Sequence, residues 1–303
     1  MKPTAIDGGH CTANLFYGRP NLEVMKEMND DSVDCVVTSP PYWGLRDYGA
    51  DGQVGLEKTY EGYIEEMTTI FREVRRILKD DGTLWLNLGD TYKNKQLIGV
   101  PWRVAFALQS DGWFLRQEII WHKPNPMPES VTDRCTKASE SIFLLAKSSS
   151  YFFDAEAIKE ENAGSLPYGD KKNFKMNDNR AQGRHGKGSM FSGGSRQEYI
   201  EKYYMNGRNR RSVWTITTQP FSGAHFAVFP EEIPRLAILA GCHVGGTVLD
   251  PFSGSGTTGK MAMKLGRNYV GIDLNEDYLE IAERRVSPLK SDVTSDDDQL
   301  EMF

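Results

Sequence analysis

Short apolar runs alternate with helical spacings from about Asn14 to Phe153. Asn14–Tyr17 and Val33–Val37 are apolar-rich runs of strand length, and between them Leu22, Met25 and Met28 recur three apart, as on one helix face. Tyr63, Met67, Ile70, Val74 and Ile77 keep one face through a longer helix, which Asp81-Gly82 is expected to end. Thr83–Leu88, Phe114–Trp121 and Ser141–Ala146 read as strands, with a helix over Trp102–Leu108. The alternation breaks off and resumes at Ser212. Strands are then expected at Ser212–Thr217, Thr247–Asp250 and Tyr269–Asp273, and helices at Glu231–Ala240, Thr257–Leu265 and Glu276–Val286. Strands alternating with helices predict an α/β fold, a mostly parallel sheet wound with helices on both faces.

Between these two stretches the periodicity dissolves. Residues 155–211 are rich in Gly, Asn, Ser, Lys and Arg, with Tyr168, Phe174, Phe191, Tyr199, Tyr203 and Tyr204 interspersed. A stretch of that length without pattern is functional or a linker, and basic residues mixed with aromatics suit nucleic acid. The expected organisation is therefore residues 1–154 and 212–286 as two halves of one domain, 155–211 as an insert, and 287–303 as an acidic tail.

Charge and composition refine this. The net charge of −6 looks wrong for a phosphate binder, but it is unevenly spread. Residues 155–215 carry a net +5, while 287–303 carry −4. The 39% hydrophobic and 26% charged content is that of a globular chain, and no apolar run approaches the ~18 residues of a membrane span. No basic-then-apolar leader opens the chain, so a cytoplasmic, nucleoid-associated location is expected. The four cysteines are far apart and form no CxxC pair, so neither a metal site nor a disulfide framework is expected.

Val248 to Lys260 reads as a strand, a glycine turn and a helix start. Gly254, Gly256 and Gly259 satisfy GxGxxG, with Asp273 placed as a ribose-binding acid. Three ligands compete for this loop. Met261 stands where a nucleotide-triphosphate loop needs Ser or Thr, and about thirty residues after Asp273 are too few for the rest of a dinucleotide domain. S-adenosylmethionine is the third: Asp250 offers an acceptor for its ammonium, and Thr257, Thr258 and the helix N-terminus offer donors for its carboxylate. Loop chemistry alone leaves the three open.

The strand at Val33–Val37 leads into Thr38-Ser39-Pro40-Pro41-Tyr42-Trp43. Two prolines remove two N–H donors and stop the strand, leaving the Ser39 hydroxyl and Pro40 carbonyl as acceptors beside the Tyr42 and Trp43 faces. Ser-Pro-Pro-Tyr resembles the catalytic motif of DNA amino methyltransferases, and Asp-Pro-Phe-Ser-Gly-Ser-Gly-Thr-Thr-Gly their cofactor motif. The catalytic motif preceding the cofactor motif, with a variable region between, resembles the permuted beta group. Phe226-Ala227-Val228-Phe229-Pro230 is similar to that group's second cofactor motif, and Trp121-His122-Lys123-Pro124 to its late-strand motif. One departure is that Arg19 follows Gly18, where the family often has Asp near the cofactor.

The resemblance implies a Rossmann-like methyltransferase fold, S-adenosylmethionine as cofactor and double-stranded DNA as substrate. It implies catalytic roles for Ser39, Pro40, Pro41 and Tyr42, and cofactor contacts from Phe229, Asp250, Phe252, Gly254, Gly256, Thr257, Thr258 and Asp273. Trp43 is expected to line the base pocket, and Arg208, Arg210 and Arg211 to contact DNA. Ser in the first motif position is typical of cytosine-N4 enzymes and Asp or Asn of adenine-N6 enzymes, so N4 of cytosine is the expected target and N6 of adenine the alternative. A dehydrogenase and a non-catalytic DNA-binding protein are the readings from other classes. At the end of the chain, Gln299, Leu300, Met302 and Phe303 resemble the short peptides that dock on bacterial sliding clamps.

Overall fold

The computed structural model describes residues 3–47, 49, 52–161, 207–218 and 229–287. The expected clamp peptide at Gln299–Phe303 and the second cofactor motif up to Val228 lie outside these residues. Contacts divide the chain into two compact units, residues 1–153 with 212–303, and residues 154–211.

The first unit is a nine-stranded sheet. Its strands are β1 (Thr4–Asp7), β2 (Thr12–Tyr17), β3 (Val33–Thr38), β4 (Leu78–Leu88), β7 (Phe114–His122), β8 (Ser139–Ala146), β9 (Val213–Thr215), β10 (Thr247–Asp250) and β11 (Asn268–Asp273). A separate two-stranded hairpin pairs β5 (Tyr92–Lys93) with β6 (Gln96–Leu97). The sheet order is β1-β2-β11-β10-β3-β4-β8-β7-β9. Only β1 and β8 run against the other described strands, so the sheet is mostly parallel. β10 from the end of the chain sits between β11 and β3. There the connections diverge, and the crevice beyond the carboxyl ends of such strands is where open α/β sheets bind ligands.

The alternation within β4 shows how both faces are covered. Leu84, Leu86 and Leu88 point into the core built by α1 (Asn21–Lys26), α2 (Tyr60–Ile77) and α3 (Val100–Ser110). Thr83, on the alternate face of β4, donates to the Gly241 carbonyl of α4 (Glu232–Gly241) on the other side. With α5 (Thr257–Lys264) and α6 (Leu279–Val286), α4 forms the second helical layer. Gly241 allows the close approach, since a Cβ there would strike Thr83 and Trp85.

The predicted face of α2 is realised, with Tyr63, Met67, Ile70, Val74 and Ile77 all buried, and Thr59 caps its start through Gly62 N. Its end differs from expectation. Leu78 is already extended (φ −73°, ψ 136°), and Asp81-Gly82 lies inside β4 rather than closing the helix. Gly82 fits because the Leu78 side chain folds over it, where a Cβ would come within 2.6 Å. The expected helix from Glu276 begins as a 3-10 turn, Glu276–Tyr278, capped by Asn275, before α6. Periodicity gave no sign of edge strand β1 or of the β5–β6 hairpin, whose turn residues Asn94 and Lys95 both take positive φ. No described helix is long and apolar enough to cross a membrane.

The second unit is described at 154–161 and 207–211. Glu160 and Arg208 form an antiparallel bridge, and the Glu160 carboxylate also accepts from the Arg208 and Arg211 guanidinium groups.

Candidate active site

A cavity of about 200 Å³ opens beyond the carboxyl ends of β3, β10 and β11. Its floor is the loop from β10 to α5. Gly254 (φ +49°) and Gly256 (φ +78°) take conformations that side chains disfavour. Gly254 lines the cavity, whereas Gly256 faces away: a Cβ there would press the Ala282 backbone at 3.1 Å. Its role is to let α6 pack against the loop.

Asp250 ends β10 fully buried, and its two oxygens accept from Thr38 Oγ1 (2.7 Å), Thr258 Oγ1 (2.7 Å) and Phe252 N (3.0 Å). Burial pushes its carboxyl up to about 6. Neither Asp250 nor Thr258 borders the cavity, so the expected contacts from these two side chains to an ammonium and a carboxylate are replaced by a contact with each other. The reason is that a buried carboxylate must have its acceptors filled. What Asp250 does is tie the end of β3 to the start of α5, fixing the residue before Ser39 against the glycine loop.

Asp273, at the end of β11, does border the cavity. It accepts from Gly254 N (2.7 Å) and Asn275 N (2.9 Å), and burial pushes it to about 6 as well. Phe229, Phe252 and Thr257 line the same space. Beneath the loop runs a hydroxyl chain that sequence reasoning missed. Tyr17 Oη donates to Gly254 O (2.8 Å), so Ser253 Oγ donates to Tyr17 and accepts from Tyr269, each at 2.8 Å. Two tyrosines carry no motif: Tyr17 ends β2 opposite Asp273, Tyr269 lies near the start of β11, and their hydroxyls meet at Ser253. Arg19, where the family often has Asp, turns to Glu27 (2.5 Å), while Pro20 and Asn21 border the cavity.

The cavity is bordered by the carboxylates Asp273 and Glu66, the aromatics Phe229, Phe252 and Tyr278, and the first turn of α5, whose N–H groups have no intrahelical acceptor. That donor set fits a nucleoside carrying an amino-acid chain, and S-adenosylmethionine has this composition. Asp273 suits the ribose hydroxyls, Phe229 and Phe252 the ring, and Thr257 the carboxylate.

The opposite wall is the turn after β3. Ser39 and Pro41 border the cavity, and Tyr63 Oη holds the Pro41 carbonyl at 3.0 Å. Tyr42 seats its ring on Gly89, where any Cβ would collide with it. Its hydroxyl donates to Glu140 Oε2 (2.7 Å) and lies 3.3 Å from Ser39 Oγ. Asn87 Nδ2 reaches Tyr42 Oη (2.7 Å), Glu140 Oε2 (3.0 Å) and Ser39 Oγ (3.2 Å), and Lys123 pairs with Glu140 Oε1. Burial, reinforced by Glu140, holds the Tyr42 phenol well above its ordinary pKa, so it stays a donor. Asn87 and Glu140 face each other across the antiparallel β4–β8 pair, and their distance in sequence hid them.

Trp43 corrects an expectation. It lies in the core, its Nε1 donating to Glu57 O (2.8 Å) and its ring edge-on to Tyr60, rather than lining a base pocket. With the Lys93 ammonium over its ring at 5.3 Å to the centroid, this indole is taken up by the chain's own groups. In the second unit, Arg210 Nε donates to Ile158 O (2.8 Å), while Arg208 (2.9 Å) and Arg211 (2.6 Å) share Glu160. One carboxylate thus offsets part of the charge expected to meet phosphate.

The family described as DNA methylase matches residues 33–284. The Type II methyltransferase M.SmaI of Serratia marcescens is 45% identical over 293 residues, covering 87% of each chain. M.Cfr9I of Citrobacter freundii is 43% identical over 314 residues, covering 94% of this chain and 90% of its own. Among solved structures, the PvuII DNA methyltransferase (cytosine-N4-specific) is similar with a TM-score of 0.67 at 18% identity, over 95% of this chain and 90% of its own. The M1.HpyAVI–SAM complex is similar at a TM-score of 0.54 and 18% identity, over 90% of this chain and 98% of its own. These two likenesses are of fold.

Proposed function

The chain belongs to the DNA methylase family, and from that premise we propose that it methylates the exocyclic N4 amino group of one cytosine within a specific duplex DNA site, with S-adenosylmethionine as donor. The observation that carries this reading is that Ser39 borders the same cavity as Gly254 and Asp273. When bound, the cofactor supplies an electrophilic methyl group on a sulfonium sulfur.

The chain's task is then to make a poor nucleophile attack. An exocyclic amine is unreactive because its lone pair is delocalised into the ring. Ser39 Oγ and the Pro40 carbonyl accept its two N–H hydrogens, drawing them out of plane and localising the lone pair. The N4–CH3 bond would form as the S–CH3 bond breaks, with one N4 proton released to solvent, so position and electrostatics supply the catalysis with no covalent intermediate on the protein. The amine is out of reach inside a duplex, so the base must leave the stack, and Tyr42 is the aromatic placed beside Ser39 to receive it. Serine at the first motif position supports cytosine as the target.

Digestion of treated duplex to nucleosides, followed by mass spectrometry, tests the proposal. N4-methyldeoxycytidine is expected. N6-methyldeoxyadenosine would reassign the base, and no methylated nucleoside at all would sink the reading.

A further inference from the structure

The polar cluster behind Ser39 has a hydrogen-bond direction that can be worked out group by group. Glu140, as a carboxylate, can only accept. It therefore fixes the Asn87 amide with Nδ2 toward the cluster, and Asn87 Oδ1 is left buried without a partner among the described residues. It also takes the single proton of the Tyr42 hydroxyl, in the shortest of the contacts that hydroxyl makes to an acceptor (2.7 Å). With that proton committed, Tyr42 Oη can only accept from Ser39 across their 3.3 Å contact. Ser39 Oγ also lies 3.2 Å from Asn87 Nδ2, whose two protons serve the nearer Tyr42 Oη (2.7 Å) and Glu140 Oε2 (3.0 Å), so Ser39 keeps its lone pairs. Its proton points into the cluster, and what remains toward the cavity is a lone pair. Lys123 pairs with the other oxygen of Glu140 and so helps hold that carboxylate in place.

Resting on the function proposed above, we infer that Glu140, through Tyr42 and Asn87, fixes Ser39 as a hydrogen-bond acceptor toward the target base, so that the site selects an amino group over a keto group at the reacting position. Glu140 is a positioning residue: it borders no part of the cavity and acts only through the protons it orders. A serine hydroxyl left to rotate accepts from an amine or donates to a carbonyl equally well. One held by this chain accepts from cytosine N4 and meets the O4 of uracil lone pair to lone pair. Sites that fix hydrogen-bond polarity in this way reject the mismatched analogue because a polar group is left unpaired.

The test compares two duplexes that differ only at the target position, deoxycytidine or deoxyuridine opposite guanine. Each carries the site found by single-molecule sequencing of DNA from cells expressing the protein. Dissociation constants are measured with the full chain in the presence of S-adenosylhomocysteine. Glu140→Met removes the acceptor at similar length. Tyr42→Phe keeps the ring on Gly89 and removes only the hydroxyl that takes the Ser39 proton, so it serves if Glu140→Met fails to fold. Each is expected to lower the preference for deoxycytidine over deoxyuridine by about tenfold relative to wild type, with S-adenosylhomocysteine affinity unchanged. A merely structural role would weaken both duplexes alike. A preference unchanged in the folded variants, with wild type methylating cytosine, overturns the inference and leaves the proposed function standing. A wild-type protein that methylates no cytosine removes both.

Discussion

The loop after β10 and the turn after β3 end neighbouring parallel strands and border one cavity, yet they hold their shapes differently. In the loop, polar groups close on one another. Asp250 is bonded by two threonines and an amide, and Ser253 by two tyrosines. In the turn, prolines remove donors, and an ordered chain from Glu140 leaves Ser39 facing the cavity. The first arrangement makes a rigid cradle with backbone N–H groups and one carboxylate toward the ligand. The second makes an acceptor whose polarity depends on side chains from β4 and β8. A cradle has to fit a ligand that enters and leaves intact, whereas the acceptor must act on a bond that changes.

If that division holds, substitutions on the two sides separate kinetically. The largest effect is expected from Ser39→Ala, which removes one of two acceptors acting on the amine. Turnover should fall by about 10²–10³-fold, with cofactor affinity within about twofold of wild type. Single-turnover rates and calorimetry measure the two, and a parallel loss of both would blur the comparison.

Asp273→Ala should do the reverse. Losing a charge-assisted contact worth roughly 1.5–3 kcal/mol should weaken S-adenosylmethionine binding by about tenfold or more. The chemical step at saturating cofactor should be largely preserved. Calorimetry with NADH as control checks the assignment, since equal affinity for NADH would return the loop to a dinucleotide site.

Acidity offers a finer probe of the cradle. Burial raises Asp273 from 3.8 to about 6, so the folded chain binds a proton there that the unfolded chain has released between those values. The unliganded protein therefore gains stability from this group as pH falls from about 6 toward 4. The ribose contact needs the ionised form, so cofactor affinity should move the other way, full above pH 7 and falling by up to about tenfold per unit below 6. Asp273→Asn should flatten that profile. A titration by calorimetry from pH 5 to 8 decides it.

The smallest effect is expected outside both walls. Replacing Arg208, Arg210 and Arg211 together by neutral residues should reduce the salt dependence of DNA binding by a slope of only about two. Glu160 already offsets one of the three charges. An unchanged slope would remove this region from the DNA interface.

How much of this was legible in the chain depends on whether the information is local. Strand Thr247–Asp250, the buried face of α2, the glycine turn and the double proline are each written within a few consecutive residues, because period and backbone restriction act over that range. Ser39, Gly254 and Asp273 could therefore be named in advance. What sequence alone left undetermined was which way the side chains around them face. Asp250 and Thr258 turned inward and Trp43 entered the core where their polar atoms find partners, and those partners are set by neighbours distant in the chain. Asn87 and Glu140 stand on β4 and β8, and only the antiparallel register of those strands puts both on Tyr42. The chain by itself determined most of the central strands, the two motifs and the family. The tertiary structure decided which hydroxyl keeps a lone pair for the ligand, because hydrogen-bond direction belongs to a network of residues and not to any one of them.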